Sequence, residues 1–289
     1  MLKPYEKISP TAWKTAYLRT FADIKYAREI FEELEENLKA SISPEELKKF
    51  NESNKPELAP QYEARYKLLN KLLKESGINQ FLELASGFSP RGILMTEENP
   101  SIEYVEVDLP GILSEKKKIV EKLIAKSKLR RRDNLHFEEE NALETNSLLE
   151  AAHFFQQKPI AVFHEGLLRY LNFEEKAIIA KNIHSLLERF GGVWITPDIS
   201  MKKIIQAEKD IYGENKTFSE KMTGINIEEN LFENEEQAQK FFRGLGFTIE
   251  RHSLLEILNQ LVSPQRLSLS RQVVEDQISP VVVFVMRLD

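Results

Sequence analysis

The sequence contains no cysteine. A disulfide framework, a thiolate nucleophile and a cysteine-ligated zinc are therefore excluded, so the chemistry must come from oxygen, nitrogen or a bound cofactor; no metal is expected. Glycine is sparse, 11 in 289 residues, so a glycine at a chain reversal is informative. No apolar run approaches the ~20 residues that span a bilayer, and residues 1–10 lack the apolar stretch of a secretory signal. A cytoplasmic protein without a membrane partner is the expectation. A concentrated positive face is missing too: 40 Lys and Arg stand against 46 Asp and Glu, a formal charge of −6, which makes nucleic acid a poor partner. The one basic run, Lys128-Leu129-Arg130-Arg131-Arg132, reads as a solvated edge before a strand.

What remains, 42% hydrophobic and 30% charged residues in 289, is an ordinary globular composition, long enough for one large α/β domain with a cap or for two small domains. Between 11 and 38 apolar residues recur at helical spacing (Trp13, Tyr17, Phe21, Ile24, Ile30, Leu34) with a break near Asp23. Ser43-Pro44-Glu45-Glu46 is a helix start, and residues 61–76 form a strong helix stopped by Gly77. Residues 1–76 thus read as a helical segment. From 77 to 289 the pattern alternates. Strands are predicted at 80–85, 102–107, 134–138, 160–164 and 193–197, with helices at 91–96, 112–127, 143–157 and 174–190. That alternation predicts a doubly wound, mostly parallel sheet. Residues 199–240 interrupt it as a helical cap insertion, with helices at 201–211 and 233–245. Two final strands, 247–251 and 281–288, bracket a polar connection containing Pro264 and bring the sheet to seven.

The first strand runs Phe81-Leu82-Glu83-Leu84-Ala85 and turns through Ser86-Gly87 into a helix near Arg91. A glycine at such a turn lets a ligand approach the backbone, and the helix N-terminus offers free N–H groups. The G-x-G-x-x-G dinucleotide pattern is not met, and one glycine here also suits a plain βα turn. Asp108 ends the second strand 21 residues after Gly87, a spacing that suits hydrogen bonds to ribose hydroxyls. It also suits an N-cap for the helix that Pro110 begins. Glu165 follows the fourth strand, so Glu83, Asp108 and Glu165 are all expected near the carboxyl rim of the sheet, where open α/β folds bind ligands.

These stretches, Glu83 to Arg91, Glu106 to Pro110 and Glu165-Gly166-Leu167-Leu168-Arg169-Tyr170-Leu171, together with an Arg65-bearing helix, resemble the leucine carboxyl methyltransferase family over roughly residues 60–200. That family includes polyketide O-methyltransferases of the tetracenomycin type. The resemblance implies a class I methyltransferase fold, S-adenosyl-L-methionine as cofactor with S-adenosyl-L-homocysteine as product, and a carboxylate or hydroxyl acceptor on a small molecule or peptide. It implies that Arg65 pairs with the methionine carboxylate, Gly87 lines its backbone path, Asp108 holds the ribose, Asn141 and Ala142 flank the adenine, and Glu165 meets the methionine end. Glu83, Ser86, Arg91, Leu109 and Gly166 join them as cofactor-site candidates. The chain has Ala85-Ser86-Gly87 where many relatives carry Gly-Ala-Gly, and Asn141 where they carry an acid.

His164, beside Glu165, is the candidate general base, unless strand alternation turns its ring away. Tyr170 is a candidate to orient the acceptor, with a core role as the alternative. Lys14 and Arg19 are candidates to close over the cofactor's charged end. The acceptor pocket is expected between the N-terminal helices and the insertion. Two other functions fit parts of the pattern: a nicotinamide-dependent dehydrogenase, which the missing glycine disfavours, and a non-catalytic binding protein on the same fold.

Overall fold

In the computed structural model, residues 9–41, 55–203 and 226–289 are described. The helix expected after Ser43 and most of the insertion, residues 204–225, lie outside them. Three helices come first: α1 (Ser9–Arg19), α2 (Ala27–Ser41) and α3 (Ala59–Glu75). The expected break falls after Arg19, where Tyr26 turns at φ 67° before α2 begins. The core then alternates β1 (Gln80–Leu84), α4 (Arg91–Glu98), β2 (Glu103–Asp108), α5 (Pro110–Ala125), β3 (Leu135–Glu139), α6 (Ser147–Ala151), β4 (Ile160–His164), α7 (Phe173–Phe190) and β5 (Gly192–Thr196). After the insertion come α8 (Glu235–Arg243), β6 (Phe247–Ser253), two short helices α9 (Ser263–Arg266) and α10 (Arg271–Ile278), and β7 (Val282–Leu288).

The seven strands form one sheet in the order β3-β2-β1-β4-β5-β7-β6. β1 to β5 pair in parallel, whereas β7 is antiparallel to both β5 and β6. The doubly wound α/β reading holds, with one strand reversed. β1 and β4 are buried throughout, as expected of strands covered on both faces; β4 is apolar from Ile160 to Phe163, whereas β1 also buries Gln80 and Glu83. Strand order reverses between β1 and β4, and the loops that leave their carboxyl ends diverge there.

Two helical assignments differ from expectation. Only a single turn, α6, and a short 3-10 stretch form within 143–157, because the Asn141 side chain accepts the Leu143 N–H at 3.1 Å and Asn146 adopts φ 76°. These local bonds compete with helix. The stretch 233–245 does fold as a helix, but α8 packs into the sheet core: the Phe242 ring lies edge-on to Trp194 at 5.4 Å and to Phe284 at 6.4 Å.

The N-terminal helices are fastened on two sides. Ala16, Ile30 and Leu34 share a core with Phe88 and with Ile119 and Leu123 of α5. α3 buries Glu63, whose carboxylate accepts the backbone N–H groups of Val262 and Ser263 at 2.8 Å each. No helix among the described residues is long and apolar enough to cross a membrane.

The β4–β5 register depends on one glycine. Gly192 sits at φ 118°, and a Cβ there would lie 1.9 Å from the Ile160 carbonyl oxygen. Gly192→Ala is expected to destabilise the fold by about 3 kcal/mol or more, read as a lowered urea midpoint.

Candidate functional site

At the carboxyl ends of β1, β2 and β4 a cleft opens with about 1040 Å³ of empty volume, part of it open solvent. The turn after β1 forms its floor. Ala85 and Gly87 both take left-handed conformations, φ 49° and 52°, so the chain keeps the backbone shape of a glycine-rich turn even where alanine replaces glycine, at a cost of about 1 kcal/mol. The Gly87 N–H donates to Asp108 Oδ2 and the Leu109 N–H to Oδ1, each at 2.7 Å. The N-cap expected of Asp108 is not formed: the cap position of α5 is Leu109, without a side-chain cap bond, and the Asp108 carboxylate instead ties the β1 turn to Leu109 and borders the cleft. Burial pushes its carboxyl up to about 6, against the opposing bonds from Gly87 and Leu109.

Farther along, Glu140, Asn141, Ala142 and Leu143 line the end of the cleft beneath β3. The other wall comes from Glu165, Gly166, Leu167, Tyr170 and Leu171 after β4. α1 closes the top with Thr11, Thr15 and Arg19, spaced four apart and so on one helical face.

Glu165 is the centre of a buried charge network. Its Oε2 accepts from Arg19 at 3.2 Å and from Arg91 at 3.1 Å, and Arg65 Nε stands 3.9 Å from its Oε1. Arg91 also reaches Glu83, and through Nε it reaches Asn70 Oδ1 at 2.6 Å. Arg65 bonds Asp198 at 2.7 Å. Asp198, two residues beyond β5, takes the backbone N–H groups of Gly166 and Leu167 at 2.6 to 2.8 Å and so shapes the loop that carries Glu165. Burial works to raise both Glu165 and Asp198. For Glu165 it is outweighed by Arg19, Arg65 and Arg91, and for Asp198 by the bond from His164 and the charge of Arg65, so both carboxyls are held below their ordinary values.

Nine of the residues named from sequence line one cleft: Ser86, Gly87, Asp108, Leu109, Asn141, Ala142, Glu165, Gly166 and Tyr170. Four do not. Glu83 lies within β1 beneath the floor, bonded to Arg91 and to the Tyr104 hydroxyl at 2.7 Å. Arg91 is fully buried, joining Glu83 to Glu165. Arg65 stands behind Glu165, paired with Asp198. His164 points away from the cleft: it is fully buried, Trp194 Nε1–H donates to its Nε2 at 3.1 Å, and its Nδ1 meets Asp198 at 3.0 Å. Alternation along β4 carries its ring to the side of the sheet opposite the one read for a base. Arg19 does reach the cleft. Sequence reading missed Thr11, Thr15, Glu140 and Asp198. The polar stripe Thr11, Thr15, Arg19 was a usable signal, and Asp198 follows its strand much as Glu165 does.

Residues 9–184 match the family described as leucine carboxyl methyltransferase. The chain belongs to that family. Its members are methyltransferases that use S-adenosylmethionine. No curated protein gives a significant match to this family member. Among solved structures, it is similar to a DUF574 family protein from Streptomyces avermitilis (16% identity, TM-score 0.58, 96% of this chain and 97% of that one). It also resembles the methyltransferase domain of bacterial CtHen1-C (15% identity, TM-score 0.50, covering 80% and 98%). A match to PigF with SAH has 12% identity and a TM-score of 0.41, covering 72% of this chain and 50% of that one. The chain spans about half the length of PigF, and 43% of LepI. At these identities the likeness is one of fold.

The leucine carboxyl methyltransferase cleft suits the family's cofactor on its own atoms. Glu165 Oε1, Arg19 Nε and Arg65 Nε are buried without hydrogen-bond partners among the described residues. Of these, Glu165 and Arg19 line the cleft, and one acceptor beside one guanidinium complements an ammonium and a carboxylate on one carbon. At Gly166, φ 93°, a Cβ would meet nothing within 4 Å, so the backbone there borders open space.

Asp198→Ala would leave Arg65 without its closest partner and strip the acceptor from the loop after β4. A loss of about 3–5 kcal/mol of stability is expected, measured by urea unfolding of the ligand-free protein.

Proposed function

We propose that the protein is an S-adenosylmethionine-dependent O-methyltransferase acting on a carboxylate or hydroxyl of a small, polyketide-like molecule or a peptide. The observation that carries this reading is the unsatisfied acceptor on Glu165 beside Arg19, in the same cleft as the Gly87 turn and Asp108. In this reading the methionine ammonium is taken by Glu165 and the carboxylate by Arg19, with Arg65 behind them. Asp108 accepts from the ribose hydroxyls, and the walls beside Asn141, Ala142 and Leu143 hold the adenine. Ser86, Gly87, Leu109 and Gly166 contribute backbone surface, whereas Glu83 and Arg91 hold Glu165 in place from beneath.

The bound cofactor supplies an electrophilic methyl group on its sulfonium. The chain's part is alignment and exclusion of water. Thr11, Thr15, Leu167, Tyr170 and Leu171 wall the side on which an acceptor would approach, and Tyr170 is held by packing on Ile227 and Leu231. His164 is engaged elsewhere; of the carboxylates that line the cleft, Asp108 and Glu165 are bonded to backbone and arginine, and Glu140 lies at the end beside Asn141, away from the acceptor wall. An acceptor that arrives already ionised, a carboxylate, therefore fits these walls better than an alcohol awaiting a base.

Isothermal titration with S-adenosylhomocysteine should give saturable binding, weakened about 10- to 100-fold by Asp108→Ala, which removes charged acceptors worth about 1.5–3 kcal/mol. The absence of heat with both S-adenosylmethionine and S-adenosylhomocysteine would sink the reading. Binding should also depend on pH. Because burial raises Asp108 to about 6, its ionised, accepting form is lost as pH falls through 6. Affinity should drop over that window in the wild type, and Asp108→Asn should flatten this part of the profile.

A further inference from the structure

His164 lies outside the cleft, yet both of its ring nitrogens are engaged in the interior. Trp194 Nε1–H donates to Nε2 at 3.1 Å, and Nδ1 meets Asp198 Oδ2 at 3.0 Å, with the Thr196 hydroxyl oxygen 3.3 Å from the same nitrogen. An indole N–H only donates, so Nε2 is the bare nitrogen and the ring proton sits on Nδ1. The opposite tautomer would set one N–H against another at Trp194 and a lone pair against the carboxylate at Asp198. Charge agrees with this assignment. The buried network already holds Arg19, Arg65 and Arg91 against Glu83, Glu165 and Asp198, and an imidazolium would add an unbalanced charge at a fully buried position.

Trp194 can select the tautomer because it is itself fixed. It is fully buried on β5, with the Phe242 ring edge-on at 5.4 Å and the Phe247 ring inclined to it at 5.3 Å. A line of directed contacts therefore runs from α8 and β6 through Trp194 and His164 to Asp198. Beyond it, Asp198 Oδ1 takes Arg65 at 2.7 Å, and Oδ2 takes the Gly166 and Leu167 N–H groups at 2.7 and 2.6 Å. Those two amides follow directly on Glu165, whose Oε1 has no hydrogen-bond partner among the described residues. An apolar side chain in place of His164 would fill the space but leave the indole N–H unpaired and remove one of the donors that set the rotation of the Asp198 carboxylate.

We propose that His164, held as its Nδ1–H tautomer by Trp194, is a positioning residue for the methionine half of the cofactor: it orients Asp198, which orients the Gly166–Leu167 backbone and with it Glu165. The inference rests on the cofactor reading above. The adenosine half of the ligand would meet Asp108, Asn141 and Ala142, whose bonds run to other parts of the chain. The two halves should therefore respond differently to a change at His164.

Two measurements test this. Titration calorimetry compares S-adenosylhomocysteine with 5′-methylthioadenosine, which keeps the adenosine and the sulfur but lacks the amino acid. His164→Leu should weaken S-adenosylhomocysteine about 10-fold or more and leave 5′-methylthioadenosine unchanged. His164→Asn, whose amide N–H can occupy the place of Nδ1–H, should recover most of that loss. The second measurement needs no ligand and no folded Leu variant. Nitrogen-15 spectra of the histidine rings should show, among the five histidines, one ring with a protonated Nδ1 and a bare Nε2 that is absent from His164→Asn and becomes a mixture of tautomers in Trp194→Phe. The proposal is overturned by equal loss of both ligands in His164→Leu, by unaltered S-adenosylhomocysteine binding, by an Asn variant no better than Leu, or by a wild-type His164 ring protonated on Nε2. A wild type that binds neither S-adenosylmethionine nor S-adenosylhomocysteine instead defeats the cofactor reading, and this inference with it.

Discussion

Six charged side chains buried under the cleft hold this molecule together: Arg19, Arg65 and Arg91 against Glu83, Glu165 and Asp198. Removing such ions from water costs several kcal/mol each, and that cost is offset only when every charge finds its counterpart. The balance is achieved by drawing on distant parts of the chain. Each arginine comes from a different helix, α1, α3 and α4, whereas the carboxylates sit on β1 or just beyond β4 and β5. The network thereby fixes the N-terminal helices over the sheet's carboxyl edge. Aromatic faces support it, with the Arg91 guanidinium 4.4 Å from the centre of the buried Tyr66 ring.

The same network prepares the site. Its internal pairing uses up Glu83, Arg91 and Asp198 and leaves free valences only around Glu165, at the rim where strand order reverses between β1 and β4. A parallel sheet places its diverging loops there, so a ligand gains access to backbone N–H groups and to strand-end carboxylates together. Asp108 shows how economical the arrangement is. One carboxylate joins the β1 turn to the start of α5 and still faces the cleft.

Strands β4 and β7 were legible because they are covered on both faces for most of their length and read as apolar runs, and β1 because its apolar residues are interrupted only by Glu83; all three were found within a residue or two of their observed limits. Helix α7, expected at 174–190, begins at Phe173 behind an Asn172–Glu175 capping box. Less could be read where side chains compete with the backbone. The helix expected over 143–157 gave way to turns at Asn141 and Asn146, and those turns shape one end of the cleft. The orientation of β7 was also hidden, since an apolar run is the same in either direction. Proximity in sequence misled most at His164: it adjoins Glu165, yet pleating sends its ring to Trp194 and Asp198.

By itself, the sequence determined the class of sheet, the Gly87 turn, Asp108 at the tip of the second strand and the acidic residue after the fourth, because periodicity and spacing are local properties written in neighbouring residues. Tertiary structure alone decided which charged groups face the cleft and which face one another. Glu83 and Arg91 look like ligand contacts in a linear motif, but in the folded chain they satisfy each other, and Asp198, far from any motif, joins the network. That partition depends on electroneutrality in a buried volume, a condition on residues brought together from across the chain.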